Sequence, residues 1–421
     1  MLEILKGTIV TAPELGRLDI IENGHAVIRD GLVEGVFSAL PERYALAGVT
    51  DFGAGLIVPS FGDLHLHAPQ YAMLGMGMDL PLIQWLNHYT FETEAMFADS
   101  GFARDVYSRL AQELIRLGTT RVCMFASIHR KSTLILMEEL EKTGVTGYVG
   151  KVNMDRNTTP ALTETTEESL LETRRFLEDC RGRFPRLAPM ITPRFTPSCS
   201  DALMEGLGKL AREYGVPVQS HLSENDVEIT WVKELCPDCS QYWETYDKAG
   251  LWRQGTVMAH CVHSDERERG AIKAAGVWVA HCPDSNTNIY SGIAPLRVML
   301  EEGLNVALGS DIAGGAKLSM FHAITSAIRA SKLRYFYSGK AETDRFLTVA
   351  EAFYLATSAP RRYFGVSPVF APGEEFHAMV LSDEPLPPSR PLNPAERLER
   401  MIYADDPRTV KAVYSGGRRR L

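Results

Sequence analysis

Eight short apolar runs alternate with helix-like segments through the middle of the chain, and this alternation limits the folds that are open to it. Parallel strands that are covered on both faces have continuous apolar runs of this kind. Eight strand–helix units over about 310 residues predict an α/β fold, a closed TIM-like (β/α)8 barrel, with a doubly wound open sheet as the alternative. The open sheet is less favoured, because Gly75-Met76-Gly77 lacks the third glycine of a nucleotide fingerprint. The runs are residues 56–67, 120–126, 147–154, 187–195, 217–221, 256–261, 276–282 and 305–311.

Short runs separated by glycine and proline mark both ends of the chain and predict strands there. We therefore expect residues 1–58 and 367–421 to pair into one small β-sandwich domain beside a metal-dependent barrel at residues 59–366. Thr165 and Glu168 have the spacing of a capping box at the start of a helix over residues 167–180. The terminal strands are predicted at residues 2–11, 24–29, 32–37, 378–382 and 409–414.

Composition excludes several classes of function. The net charge of −9 argues against a nucleic-acid surface. No stretch reaches the roughly 18 consecutive apolar residues that span a bilayer, and the N-terminal residues lack the order of a secretory signal. Seven scattered cysteines indicate a reducing, cytoplasmic location. Cys236 and Cys239 have zinc-knuckle spacing, but no second pair follows, which favours an ordinary loop.

Polar side chains collect where the apolar runs end. Active sites of (β/α)8 barrels are built at the carboxyl ends of the strands, so these residues are expected at one rim. In a strand, residues i and i+2 point to the same face, and His65 and His67 can therefore aim two imidazoles at one point. The residues at or just beyond the run ends are His65, His67, Arg194, Phe195, His221, Glu224, His260, His281 and Asp311.

Nitrogen and oxygen ligands at this rim predict a catalytic metal. His65, His67, His221 and Asp311 fit as the protein ligands of a zinc ion that keeps one position for water. Iron(II) suits the same ligands, so the metal's identity stays open. Bound metal lowers the pKa of water to about 7, and a nearby carboxyl such as Glu224 can then pass protons. His260 is either a further ligand or a hydrogen-bond partner of the attacking oxygen, and the second reading is preferred.

Longer motifs surround the residues at the strand ends. They are His67-Ala68-Pro69-Gln70-Tyr71, Asp79-Leu80-Pro81-Leu82, Trp85-Leu86-x-x-Tyr89-Thr90-Phe91-x-x-Glu94, Ile191-Thr192-Pro193-Arg194-Phe195, Ser198-Cys199-Ser200, Gln219-Ser220-His221-Leu222-Ser223-Glu224-Asn225 and Asp311-Ile312-Ala313-Gly314-Gly315. These motifs resemble those of a known family, the guanine deaminases of the amidohydrolase superfamily. The resemblance runs from about residue 56 to 365 and is weaker in the terminal segments.

The resemblance implies hydrolytic removal of the 2-amino group of guanine, giving xanthine and ammonia, by a homodimer with one zinc per chain. It implies that Gln70, Arg194, Phe195 and Glu224 hold the purine. A zinc-activated hydroxide would attack C2, with Asp311 taking the water proton. Glu224 would protonate N3, and His260 would steady the added oxygen. The methionine-rich residues 73–78 depart from the family and are expected to alter the lip of the pocket.

The chemistry of Arg194 agrees with that substrate. A guanidinium matches the O6 and N7 acceptors of guanine, whereas adenine presents a donor at position 6. The alternatives are a deaminase of another amino-purine, a pterin or a triazine, or a barrel that has lost catalysis and serves as a binding protein. The cysteine-based deaminase architecture is excluded, because the sequence has no His-x-Glu motif and Cys236 follows a leucine rather than a proline.

Overall fold

A computed structural model describes residues 1–366 and 368–421; position 367, where the predicted C-terminal segment begins, lies outside the described residues. The strands are β1 Leu2–Glu14, β2 Arg17–Arg29, β3 Leu32–Phe37, β4 Thr50–Pro59, β5 Phe61–His67, β6 Thr119–Phe125, β7 Thr146–Gly150, β8 Val152–Asn153, β9 Leu187–Pro189, β10 Thr192–Pro193, β11 Gln219–Leu222, β12 Val257–His260, β13 Trp278–His281, β14 Asn305–Leu308, β15 Ala378–Leu381, β16 Val410–Ser415 and β17 Arg418–Arg419.

Helices connect and cover most of these strands. They are α1 Leu82–Trp85, α2 Phe91–Ala95, α3 Ser100–Arg116, α4 Arg130–Thr143, α5 Thr166–Cys180, α6 Asp201–Tyr214, α7 Asp226–Leu235, α8 Trp243–Lys248, α9 Glu266–Ala275, α10 Pro283–Asn288, α11 Leu296–Glu301, α12 Met320–Tyr337, α13 Val349–Ala356, α14 Ser358–Tyr363 and α15 Pro394–Ala404. The predicted capping box is confirmed, since Thr165 and Glu168 satisfy each other's backbone N–H groups at the start of α5. Across residues 1–366 and 368–421, none of these helices is both long and apolar enough to cross a membrane.

Both ends of the chain contribute strands to one sheet. Its order is β17-β16-β15-β4-β1-β2-β3, and β15 pairs antiparallel with β4, with Ala378 opposite Pro59. Leu5, Ile57 and Val380 belong to one apolar cluster on this sheet, so strands from the two ends share a buried face. The hydrogen bonds place these strands in a single sheet, and the two-layer sandwich stays a prediction.

Three predicted strands are each two strands, which is a correction to the sequence analysis. Run 56–67 divides at Ser60 into β4 and β5, because the chain changes partners there. β4 pairs with β15 of the terminal sheet, whereas the N–H of Phe61 donates to Gly118 just before β6. Runs 147–154 and 187–195 divide in the same way, into β7 and β8 and into β9 and β10. An apolar run shows that a segment is buried but not which strand it pairs with.

The central strands form two parallel four-stranded sheets, in the orders β5-β6-β7-β9 and β11-β12-β13-β14. A bridge between Ile191 and Val218 joins them at one side. At the other side, the N–H of Asp311 donates to the His65 carbonyl, and the N–H of His67 donates to the Ile312 carbonyl. The predicted α/β class is confirmed, and the carboxyl ends of β5, β11, β12 and β14 converge.

Candidate active site

The histidines predicted as ligands lie together at the carboxyl ends of the central strands. His65 and His67 end β5, and His221 lies in β11. Nε2 of His67 is 3.1 Å from Nε2 of His221. Oδ1 of Asp311, just beyond β14, lies 3.3 Å from Nε2 of His65 and 3.7 Å from Nε2 of His67. The structure therefore brings together the four residues that the sequence analysis selected.

These side chains fit a metal ion. Nε2 of His65 is buried and makes no hydrogen bond to any residue of the described chain. Burial lowers the pKa of His65, and burial together with neighbouring imidazoles holds the pKa values of His67 and His221 well below the ordinary value. Burial alone would raise the pKa of Asp311, but His65 and His260 keep it below its ordinary value. Neutral imidazoles and an ionised carboxylate are the forms that bind metal.

His260 lies between the ligand cluster and Glu224. Its Nε2 is 3.5 Å from Oε2 of Glu224 and 3.7 Å from Oδ2 of Asp311. Its Nδ1 lies 2.8 Å from Oδ1 of Asn286, which fixes the ring. Both His260 and Asp311 have left-handed backbones, with φ of 73° and 47°. Strained backbone of this kind is concentrated at functional sites, and here it turns two strand ends towards one point.

Glu224 is placed to hold a proton. It is buried, and Ser291 Oγ lies 3.5 Å from its Oε1. Burial and the nearby charge of Asp311 raise the pKa of Glu224 well above its ordinary value. Glu228 fixes the loop behind it, because its Oε2 accepts the N–H groups of Glu224 and Asn225 at 2.9 and 3.2 Å. A raised pKa favours the protonated form of a carboxyl, and that form can act as a general acid.

Gln70 and Arg194 form a second polar edge, and Glu94 joins them. Oε1 of Glu94 accepts from Gln70 Nε2 at 3.0 Å, and Oε2 accepts from Arg194 Nη1 at 2.6 Å. Glu94 ends one of the family motifs, but the sequence assigns it no role. Its one sequence signal is its position on the same helix as Phe91, three residues further on. The Phe91 ring lies 5.3 Å from the Arg194 guanidinium, and only the tertiary contact with Arg194 brings Glu94 into the site.

A cavity of about 370 Å³, part of it open to solvent, is lined by residues of both polar groups. Phe195 also lines it, with its ring centroid 6.5 Å from that of His221, and its stacking on a substrate stays a prediction. Its walls are His67, Gln70, Leu82, Trp85, Leu86, Arg194, Phe195, His221, Glu224, His260, Ile289 and Asp311.

Three residues that the sequence left open lie outside this cavity wall. His281 ends β13 and is buried, and burial together with His260 lowers its pKa to about 3. It is therefore a neutral side chain behind the site. Cys236 and Cys239 follow α7 as free thiols. Within residues 1–366 and 368–421, neither cysteine belongs to a group of three or more metal-ligating side chains.

Comparison with known proteins agrees with this arrangement. The sequence pattern of the Amidohydrolase family matches residues 56–420. The chain belongs to the amidohydrolase family. A guanine deaminase of Dictyostelium discoideum is 35% identical to this amidohydrolase over 444 residues, covering 99% of this chain and 98% of that protein. A guanine deaminase of Mus musculus is 38% identical over 376 residues, covering 86% and 82%.

A solved structure is similar throughout. It is a guanine deaminase from C. acetobutylicum with bound guanine in the active site, 44% identical, with a TM-score of 0.97 and 100% of each chain covered. The predicted resemblance of this amidohydrolase to guanine deaminases is confirmed.

Proposed function

We propose that this amidohydrolase hydrolyses guanine to xanthine and ammonia. The observation that carries the proposal is the presence of two groups in the wall of one cavity. His67, His221 and Asp311 of the ligand cluster line it together with the donors of Gln70 and Arg194. A guanidinium suits the acceptors O6 and N7 of guanine, and the relatives named above are guanine deaminases.

The proposed metal is zinc, one per chain, held by His65, His67, His221 and Asp311, with iron(II) as the alternative. The unbonded Nε2 of His65 and the neutral imidazoles support this assignment. When bound, the ion lowers the pKa of a water molecule and so supplies a nucleophile at neutral pH.

The chain's own residues orient the base and move the protons. Gln70 and Arg194 bind the edge that carries O6, and Phe195 packs on the ring. Asp311 accepts a proton from the attacking water, and Glu224, whose pKa burial raises, donates at N3. His260 holds the incoming oxygen. Water adds at C2, the C2–N bond breaks, and ammonia leaves with the proton that Asp311 accepted. The proton of the added hydroxyl returns to Glu224 as the C2 carbonyl of xanthine forms, so both carboxyl groups end as they began.

The finer features of the fold and the assembly belong to the same proposal. Backbone hydrogen bonds join the two central four-stranded sheets at both of their sides, which supports a closed (β/α)8 barrel. The seven free cysteines support a cytoplasmic location, and the family resemblance implies a homodimer.

Ammonia release tests the proposal directly. The full chain, loaded with zinc, would be assayed with guanine, 8-oxoguanine, adenine, cytosine, a pterin and a triazine, alongside elemental analysis of bound metal. We expect about one metal per chain and ammonia and xanthine from guanine in preference to the other bases. Bound metal without ammonia from guanine would leave the fold intact and overturn the substrate.

A further inference from the structure

Glu94 binds Gln70 and Arg194, two polar side chains that line the cavity, yet the reaction proposed above gives it no step. Each of its carboxylate oxygens is used once, by Gln70 and by Arg194. All three side chains are almost fully buried, with 2% of Glu94 exposed. Gln70 and Arg194 line the cavity, and Glu94 stands behind them. It can therefore act on a substrate only through these two residues.

The contacts of Gln70 determine which way its amide points. An ionised carboxylate only accepts hydrogen bonds, so Gln70 must turn its NH2 group towards Glu94. Oε1 of Gln70 accepts the N–H of Ala313 at 3.1 Å, which requires the same orientation independently. The amide oxygen is thus used by the backbone, and a second N–H of Nε2 remains. Arg194 has only donors, of which Nη1 serves Glu94.

The helix that carries Glu94 also shapes the cavity wall. α1 and α2 are joined by a π-helical turn over Leu86–Thr90, and such turns re-aim side chains and recur at functional sites. Beyond this turn Phe91 and Glu94 both reach Arg194, one beneath its guanidinium and one at its end. Before the turn, Leu82 and Trp85 line the cavity.

We propose that Glu94 sets substrate specificity as a positioning residue, by making the edge formed by Gln70 and Arg194 a donor-only edge. The site then takes purines that present acceptors there, an oxo group and a ring nitrogen, and rejects those with an amino group at the same position. This inference rests on the proposed function, because it concerns the orientation of the base whose 2-amino group is removed.

The sharpest test compares guanine with 2,6-diaminopurine. Both carry the 2-amino group, and they differ at position 6, where one has an oxo group and the other an amino group. A site whose polar groups are left unpaired can discriminate by about 10⁴, so we expect a preference for guanine of that order in kcat/KM. The ratio is measured within one protein preparation and does not depend on how much of it is folded.

Glu94→Gln should reduce this preference at least about 100-fold, mainly through KM for guanine. The reason is that Arg194 takes the new amide oxygen, so the new NH2 group faces the NH2 group of Gln70. Two donors cannot bond each other, so Gln70 either moves away from its present position or turns its amide and loses the hydrogen bond from Ala313. Glu94→Asp keeps the carboxylate and should retain more of the preference. The matched control is Glu92→Gln, the same substitution at an exposed position of α2, which should leave the ratio unchanged. An unchanged ratio in Glu94→Gln overturns the inference.

Equilibrium binding separates this inference from the proposed function. Hypoxanthine and adenine lack the 2-amino group, and their binding to the metal-loaded chain can be measured by calorimetry. If guanine releases no ammonia but hypoxanthine is preferred and Glu94→Gln removes that preference, the reaction is wrong and the inference stands. If guanine is deaminated while the two bases bind equally to the unmodified protein, the inference alone fails.

Discussion

His221 donates a hydrogen bond from Nδ1 to the main-chain carbonyl oxygen of Arg194, 2.6 Å away. Because a carbonyl only accepts, this contact leaves the lone pair of the neutral ring on Nε2, which lies 3.1 Å from Nε2 of His67. The side chain of the same Arg194 faces the cavity and binds Glu94. Arg194, directly after β10, therefore orients a proposed metal ligand with its backbone and presents its guanidinium to the cavity.

Loss of one imidazole of the cluster should empty the metal site. His67→Ala removes a buried nitrogen ligand, and we expect metal content to fall from about one per chain to near zero, with loss of ammonia release. The metal content is measured by elemental analysis after purification with added zinc. His88→Ala, which changes an exposed histidine, is the control. Full metal content in His67→Ala would show that His67 is not a ligand.

Glu224→Gln should slow turnover without releasing metal. The amide has a similar shape but cannot supply the proton that Glu224 is proposed to donate, a role that fits the raised pKa of this carboxyl. Proton transfer of this kind contributes about 10²–10⁴-fold, so kcat should fall by that factor while metal content stays the same. Steady-state kinetics and elemental analysis give both values. Glu234→Gln, at an exposed position of α7, should behave like the unmodified protein, and normal turnover in Glu224→Gln would remove Glu224 from the reaction.

Variants of the buried pair Arg194 and Glu94 should show that the pair affects folding stability and guanine binding in different ways. Arg194→Met leaves the Glu94 carboxylate buried without its cation, which typically costs about 3–5 kcal/mol of folding free energy. The double variant Arg194→Met with Glu94→Met removes both charges and should recover most of the lost Tm. Guanine binding should stay weak in both variants, because the donor to the base is gone. A double variant no more stable than Arg194→Met would contradict this account.

Glu268 should make the protein less stable as the pH rises. Burial raises its pKa from 4.5 to about 7, and it accepts hydrogen bonds from Ser223 and Ser264 at 2.9 and 2.5 Å. Between these pH values the folded state holds a proton that the unfolded state has lost, so folding stability falls across the window, by up to about 3 kcal/mol above pH 7.

Glu268→Gln should therefore raise Tm at pH 8 and leave it nearly unchanged at pH 5. Glu266→Gln, an exposed neighbour on α9, is the control that should change Tm equally little at both pH values. A Glu268→Gln variant that lost stability at pH 8 would show that the ionised carboxylate stabilises the fold instead.

The sequence predicted much of the fold, because the burial of a segment depends mainly on that segment's own residues. Strands β6, β11, β12, β13 and β14 lie within the predicted runs or extend one residue beyond them. Which strands pair with each other depends on segments far apart in the chain, and the sequence did not predict these pairings correctly. Run 56–67 contains the end of one sheet and the start of another, with the change of partner at Ser60 set by strands more than 50 residues away.

The same division holds at the site. By itself the sequence predicted which side chains meet at the candidate metal site, because imidazoles and carboxylates placed at strand ends are restricted to one rim by the geometry of parallel strands. Only the tertiary structure decided the part played by Glu94. Its carboxylate is one of many along the chain, and it gains its role from Gln70 and Arg194, which lie 24 and 100 residues away in the sequence. A hydrogen bond depends on where two atoms meet in space, and sequence spacing does not specify that for distant segments.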